Sequence, residues 1–249
     1  MSDSCLTIYC HCAFSDFIPL EKREAVHRFL VKSGRPHMAL DDFCRVCARN
    51  EDALGEMRGA ESLRVIACRP RTVRWLLHRA GVDVDPENLR VLDMKELSAD
   101  KIIAEIENGV KGREIESAYN DIERHDDWVP WFPVIDYERC VDCGQCLSFC
   151  LFGTYEKDEQ GKVAVVEPSA CKTNCPACAR ICPEVAIIFP KHPGSPIDGA
   201  EIQDEEAERE RVRVDIDQVL GSDVYKTLME RKKKKRQMRL LKKDAVGKK

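Results

Sequence analysis

Eight of the chain's 14 cysteines stand in two tight runs. The first reads C-x2-C-x2-C-x3-C through Cys140, Cys143, Cys146 and Cys150; the second reads C-x3-C-x2-C-x3-C-P through Cys171, Cys175, Cys178, Cys182 and Pro183. A closely spaced trio can wrap a loop around one corner region of an iron-sulfur cubane and deliver three thiolates to three irons. The fourth thiolate must then come from elsewhere in the chain. Such centres move single electrons and need no acid-base pair or nucleophile. Tetrahedral zinc on C-x2-C pairs is the competing use of the same residues. Two trios, each with a distant fourth cysteine, form an iron-sulfur pattern rather than a zinc one.

The segment from about Pro133 to Pro190 resembles the bacterial dicluster ferredoxin domain. In two-cluster ferredoxins the fourth cysteine of each run ligates the other cluster. By that rule Cys140, Cys143, Cys146 and Cys182 hold one 4Fe-4S cluster, while Cys171, Cys175, Cys178 and Cys150 hold the second. Two departures stand out: Leu151 replaces the proline expected after Cys150, and the Cys171–Cys175 loop has one residue more than usual. Val163, Val165 and Val166 alternate after Gly161 like a hairpin strand, and Ala186 to Phe189 reads as another.

A different unit precedes these runs. LTIYC (Leu6 to Cys10), HMAL (His37 to Leu40), LRVIAC (Leu63 to Cys68) and LRVLDM (Leu89 to Met94) read as strands. Helices are expected from Pro19 to Gly34, with Ala25, Val26, Phe29 and Leu30 inward, from Glu51 to Arg58 with Asn50 as N-cap, and from Pro70 to Gly81. This alternation predicts an α/β domain with a parallel sheet and right-handed crossovers. Cys10, Cys12, Cys44, Cys47 and Cys68 then all follow strand ends, on the edge where open parallel sheets build their sites. Cys68 also precedes the Pro70 helix, whose positive end favours a thiolate.

IYCHC (Ile8 to Cys12), a cysteine after the second strand (Cys44) and VIACRPRTVRWLL (Val65 to Leu77) resemble the N-terminal domain of the flavin-bearing subunit of heterodisulfide reductase. The resemblance covers roughly Leu6 to Met94 and implies a third 4Fe-4S cluster on Cys10, Cys12, Cys44 and Cys68. Cys47 is left as the extra or alternate ligand, and five reduced, packed thiols are the plain alternative. It also implies partners that are subunits of a redox complex. The large flavin domain of that family is missing here, and none of the 13 glycines forms G-x-G-x-x-G, so no flavin or nicotinamide site is expected.

The organisation expected is therefore a cysteine-rich head at 1–105, a linker helix (Ala99 to about His125) and loop at 106–132, an α+β dicluster ferredoxin domain at 133–194 and a charged tail at 195–249. Trp128, Trp131 and Phe132 are expected to dock the linker helix on the ferredoxin domain, and Cys5 and His11 to lie outside the metal sites. The tail begins with the acidic EIQDEEAERE (Glu201 to Glu210), read as a solvated block. Val224, Tyr225, Leu228 and Met229 follow at helical spacing. From Arg231 to Lys249 there are 11 basic residues and one acid; the rest of the chain has 29 basic and 43 acidic residues, a balance of −14.

Neither a signal peptide nor a membrane helix is expected, which points to the cytoplasm, where dense cysteines hold metal more often than they form disulfides. The leading function is an electron-transfer subunit that turns over no substrate alone. Thiol, disulfide or persulfide catalysis at the head is an alternative. Another is redox-sensing nucleic-acid binding through the basic tail, although the acidic body disfavours nucleic acid.

Overall fold

The structure is a computed structural model that describes residues 5–109, 120–121, 128–220 and 230. It falls into two units: Met1–Pro130 with Pro190–Ala200, and Trp131–Phe189 with the chain from Glu201 onward. The sequence predicts boundaries after residues 105, 132 and 194. In the structure the eleven residues Pro190–Ala200, which straddle the last of these, group with the first unit.

The first unit is built on β1 (Cys5–Cys10), α1 (Leu20–Lys32), β2 (Met38–Leu40), α2 (Phe43–Arg49), α3 (Ala53–Arg58), β3 (Ser62–Ala67), α4 (Pro70–Arg79), β4 (Leu89–Asp93), α5 (Ala99–Asn108) and β5 (Asn120–Asp121). Its five strands are parallel in the order β4-β3-β1-β2-β5. β1 and β3 are mostly apolar and buried from their second residue onward, as strands covered on both faces are, with Thr7 and Arg64 the buried polar exceptions. The chain steps from β1 to β2, then reverses to β3 and β4. Right-handed crossovers therefore put α1 and α5 on one face and α2 and α4 on the other, and α1 packs with α5 as α2 does with α4. Val26 and Leu30 of α1 are fully buried, each worth about 2 kcal/mol in transfer from water, whereas Ala25 and Phe29 are half-buried.

Three expectations need correction. The short loop expected to carry Cys44 and Cys47 after the second strand is a helix, α2: Asp42 caps it by accepting the Arg45 backbone N–H at 3.1 Å. Asn50 ends that helix in the left-handed region, at φ 54°, instead of opening the next one. The linker helix stops at Asn108 before Gly109, and Asn120–Asp121 pairs in parallel with β2 as an edge strand.

The second unit contains β6 (Val134–Ile135), α6 (Gln145–Phe149), β7 (Tyr155–Lys157), β8 (Val163–Val165), α7 (Ala177–Arg180), β9 (Ile187–Ile188) and α8 (Glu205–Leu220). β6 pairs with β9 and β7 with β8, both antiparallel. Trp131 and Phe132 are buried in this unit, and Trp131 stacks on Phe189 with ring centroids 5.3 Å apart. They belong to the core of this unit, and Trp128 lies under the Arg49 guanidinium in the first unit; most of the linker they are expected to dock lies outside the described residues. The acidic block is not all irregular, because α8 begins inside it with Asp204 accepting the N–H groups of Glu206 and Ala207. The predicted tail helix and the basic run from Arg231 lie outside the described residues.

Candidate metal centres

Each cysteine run is a loop closed by a short helix. Cys146 sits on α6 with Cys150 at its C-cap; Cys178 sits on α7 with Cys182 just beyond. The residue before the second cysteine is left-handed in both, Asp142 at φ 52° and Asn174 at φ 61°. Asp and Asn enter that region more readily than other residues with a side chain. Three residues after the fourth cysteines, Gly153 (φ 79°) and Val185 (φ 50°) repeat the match. The two halves thus share these turns but differ right after the second cysteine, where Gly144 is left-handed at φ 73° and Pro176 is not. The additional residue of the second run is taken up at the exposed Lys172–Thr173 step, leaving the left-handed turn before Cys175 in place.

The thiols neighbour one another across the repeats. Burial pushes Cys146 up to about 12, and the Cys182, Cys140 and Cys143 sulfurs push the same way. Cys140 and Cys182 are also raised by burial, with each other's set as electrostatic neighbours. Burial raises Cys171 to about 12 as well, with Cys150 and Cys175 adding to it. Cys178 is raised by burial too, and its sulfur neighbours are Cys171, Cys146 and Cys150. The fourth cysteine of each run therefore lies within electrostatic range of the other run's trio. Polar groups bind the sulfurs: the buried Tyr155 hydroxyl donates to Cys178 Sγ at 3.1 Å, and the Ala186 N–H donates to Cys182 Sγ at 3.4 Å. Trp131 Nε1 donates to the Cys175 carbonyl at 3.4 Å, bracing the longer loop.

In the first unit, Cys10, Cys12, Cys44 and Cys68 line one cavity at the carboxyl edge of the sheet, together with Asp42, Lys95 and Lys191. The strand order reverses beside β1, so this is the topological switch point of the sheet. Cys47 is fully buried but absent from the cavity lining. Cys10 and Cys12 Sγ are 3.1 Å apart, and the Phe43 N–H donates to Cys10 Sγ at 3.3 Å. The turn after β1 places Cys12 at φ 53°, and the buried Arg23 guanidinium holds it by donating to the carbonyls of His11 and Cys12 at 3.1 and 3.0 Å. His11 lies outside the cavity lining, near the Tyr9 hydroxyl. The expected thiolate at Cys68 is overruled in the free thiol: burial, aided by the Cys10 sulfur, pushes it up to about 12 against the pull of Lys95 and Lys191. Desolvation outweighs the helix end there. A metal that binds such thiols must displace their protons.

Residues 132–215 match the 4Fe-4S dicluster domain family. The chain is 36% identical to Ferredoxin-3 of a Nostoc species over an alignment of 75 residues that covers 23% of this chain and 76% of that protein. The chain belongs to the 4Fe-4S dicluster ferredoxins. An uncharacterized ferredoxin of Methanocaldococcus jannaschii is 51% identical over 63 residues, 25% of this chain and 42% of that protein, so the match spans less than half of that relative. The pyruvate synthase subunit PorD of the same organism is 37% identical over 60 residues, 24% of this chain and 67% of that protein. No solved structure matches the chain.

The dicluster ferredoxin part fits its cofactors by the chemistry of the donor set: eight thiols in two neighbouring groups, with hydroxyl and amide donors on the sulfurs. Among the described residues no three Cys, His, Asp or Glu side chains gather as ligands of one ion, an arrangement that a cubane, with its thiolates on four separate irons, does not need. Sequence reasoning missed Tyr155, Arg23 and Lys191. Tyr155 was readable as a strand residue without its sulfur contact. Arg23 lies in a helical pattern that makes it look solvent-facing, and Lys191 reaches the head only through tertiary structure. Among the described residues no helix is long and apolar enough to cross a membrane.

Proposed function

We propose that this chain is an electron-transfer subunit of an oxidoreductase complex, relaying single electrons through two 4Fe-4S clusters in its ferredoxin domain. Cys140, Cys143, Cys146 and Cys182 would hold one cluster, and Cys171, Cys175, Cys178 and Cys150 the other. The observation that carries this reading is the electrostatic proximity of Cys182 to the first trio and of Cys150 to Cys171 and Cys178. When bound, each cluster supplies a one-electron couple whose potential is set by hydrogen bonds to sulfur, charge and exposure. The protein's own part is to hold the thiolates and donate to them. The similarity to a protein named for pyruvate synthase favours a redox enzyme as partner.

The head extends the proposal. Its resemblance to the flavin-bearing subunit of heterodisulfide reductase, and the four thiols on one cavity, favour a third cluster on Cys10, Cys12, Cys44 and Cys68 within a complex of that kind. The donor set fits; Cys10 and Cys12, now in contact, would separate to serve different irons. That same 3.1 Å contact favours a second reading, in which the pair works as a dithiol. Anaerobic reductive titration tests the relay: reduced chain should return its electrons to an oxidised low-potential carrier. A chain that takes up none would end the proposal.

Two smaller outcomes follow. Tyr155→Phe removes a hydroxyl donor worth about 1 kcal/mol and should lower one ferredoxin potential by roughly 40 mV, measured by potentiometric titration with electron paramagnetic resonance. Removing residues 231–249 should leave iron content and Tm unchanged. Partner affinity should fall about tenfold at low salt and by less at high salt, because exposed charges are individually weak and screened beyond about 8 Å.

A further inference from the structure

The head cavity is closed by a residue that arrives from the far side of the ferredoxin sequence. Lys191 stands two residues after Phe189, within the Pro190–Ala200 segment that belongs to the head. It is 7% exposed and lines the cavity with the four cysteines. Both oxygens of Asp42, itself 1% exposed, accept from its ammonium at 2.9 and 3.1 Å. Asp42 is held in turn by the Arg45 N–H. Farther along the same segment, Asp198 accepts from Lys95 Nζ at 2.9 Å and Arg69 Nε at 3.2 Å, and its carbonyl accepts from the Thr72 hydroxyl at 3.1 Å. The segment is therefore fastened at both ends, and Lys191 has a fixed place.

Stability does not account for that place. Burying two charges seldom gains over an apolar pair of the same volume. The sulfurs offer an account. Lys191 lines the same cavity as Cys44, on α2, and Cys68, just after β3, so one ammonium shares a site with sulfurs from two different elements.

We propose that Lys191 is a positioning residue for the head's redox centre, a fixed positive charge that makes the head the favoured resting place of an electron delivered by the ferredoxin clusters. This rests on the reading that Cys10, Cys12, Cys44 and Cys68 hold a third 4Fe-4S cluster. One electron leaves a reduced ferredoxin cluster, which is oxidised by one, and the head site is reduced by one; no bond breaks and no proton moves. The site of four thiolates becomes more negative by one charge. In a low-dielectric interior that charge is costly, and a neighbouring ammonium offsets it. Asp42 tempers the same field, so removing either partner should move the potential in opposite directions.

The test uses the full chain purified without oxygen. Iron is counted first, and the potentials are then titrated with electron paramagnetic resonance as the readout. Lys191→Met should lower the head potential by a factor of about ten in the electron-sharing equilibrium, about 59 mV for a one-electron couple. Lys191→Arg should stay near the parent value. Asp42→Asn, which keeps an N-cap residue, should raise it. About eight irons in the parent chain would overturn the cluster reading and this inference together. About twelve irons with an unmoved head potential in the variants would overturn the inference alone. If Lys191→Met fails to fold, Asp42→Asn decides by its upward shift or the lack of one.

Discussion

Replacing Cys182 with alanine should empty the first-run cluster although Cys140, Cys143 and Cys146 are untouched. Cys182 belongs by sequence to the second run, so a reader of spacing alone would expect the second centre to fail. Its sulfur lies within electrostatic range of Cys140, Cys146 and Cys143. Alanine offers no replacement ligand, and a cubane left with three thiolates loses its anchored fourth corner. Iron should fall by about four per chain with one of the two ferredoxin signals gone. Cys150→Ala should take away the other signal. The two variants are each other's control. A Cys182→Ala chain that keeps its full iron and both signals would refute the cross-ligation. Substitution is better here than truncating before Cys182, because truncation would also delete Lys191 and Asp198 from the head.

The second large effect concerns the head. Cys68→Ser should remove its cluster, again about four irons per chain, while both ferredoxin signals persist. Cys68 is one of the four thiols on the cavity, at the end of β3 beside the switch point. Cys47→Ser should cost much less iron. Its side chain is fully buried off the cavity, one turn along α2 from Cys44, so its loss is felt through packing and the Arg79 bond to its carbonyl at 2.7 Å is kept. Equal iron loss in the two variants would show that Cys47 is a ligand or that the head has merely unfolded. A circular dichroism spectrum separates those outcomes.

How much of this was readable beforehand differs by element. β1 and β3 declared themselves as predominantly apolar segments, and Pro70 and Gly81 bracketed α4, because local pattern and tertiary burial agree there. The cysteine spacings carried the ferredoxin part because loop geometry around a cubane is local. α2 was not legible as a helix: it is seven residues long, and Asn50 serves helix starts and left-handed helix ends alike. The strand at Asn120–Asp121 has no apolar run to announce it and exists only as an edge partner of β2. The return of Pro190–Ala200 to the head was hidden most completely. Its bonds join Lys191 to Asp42 and Asp198 to Lys95 and Arg69, partners more than a hundred residues away, and no local pattern encodes them.

The most direct test of the account is the iron and sulfide content of the anaerobically purified Cys68→Ser chain, with electron paramagnetic resonance on stepwise reduction. That variant removes the head's contribution and leaves the ferredoxin domain to be counted alone. The account predicts about eight irons and eight sulfides per chain and two signals that appear in turn as electrons are added. A colourless chain, or one carrying zinc without sulfide on the same cysteines, would contradict it.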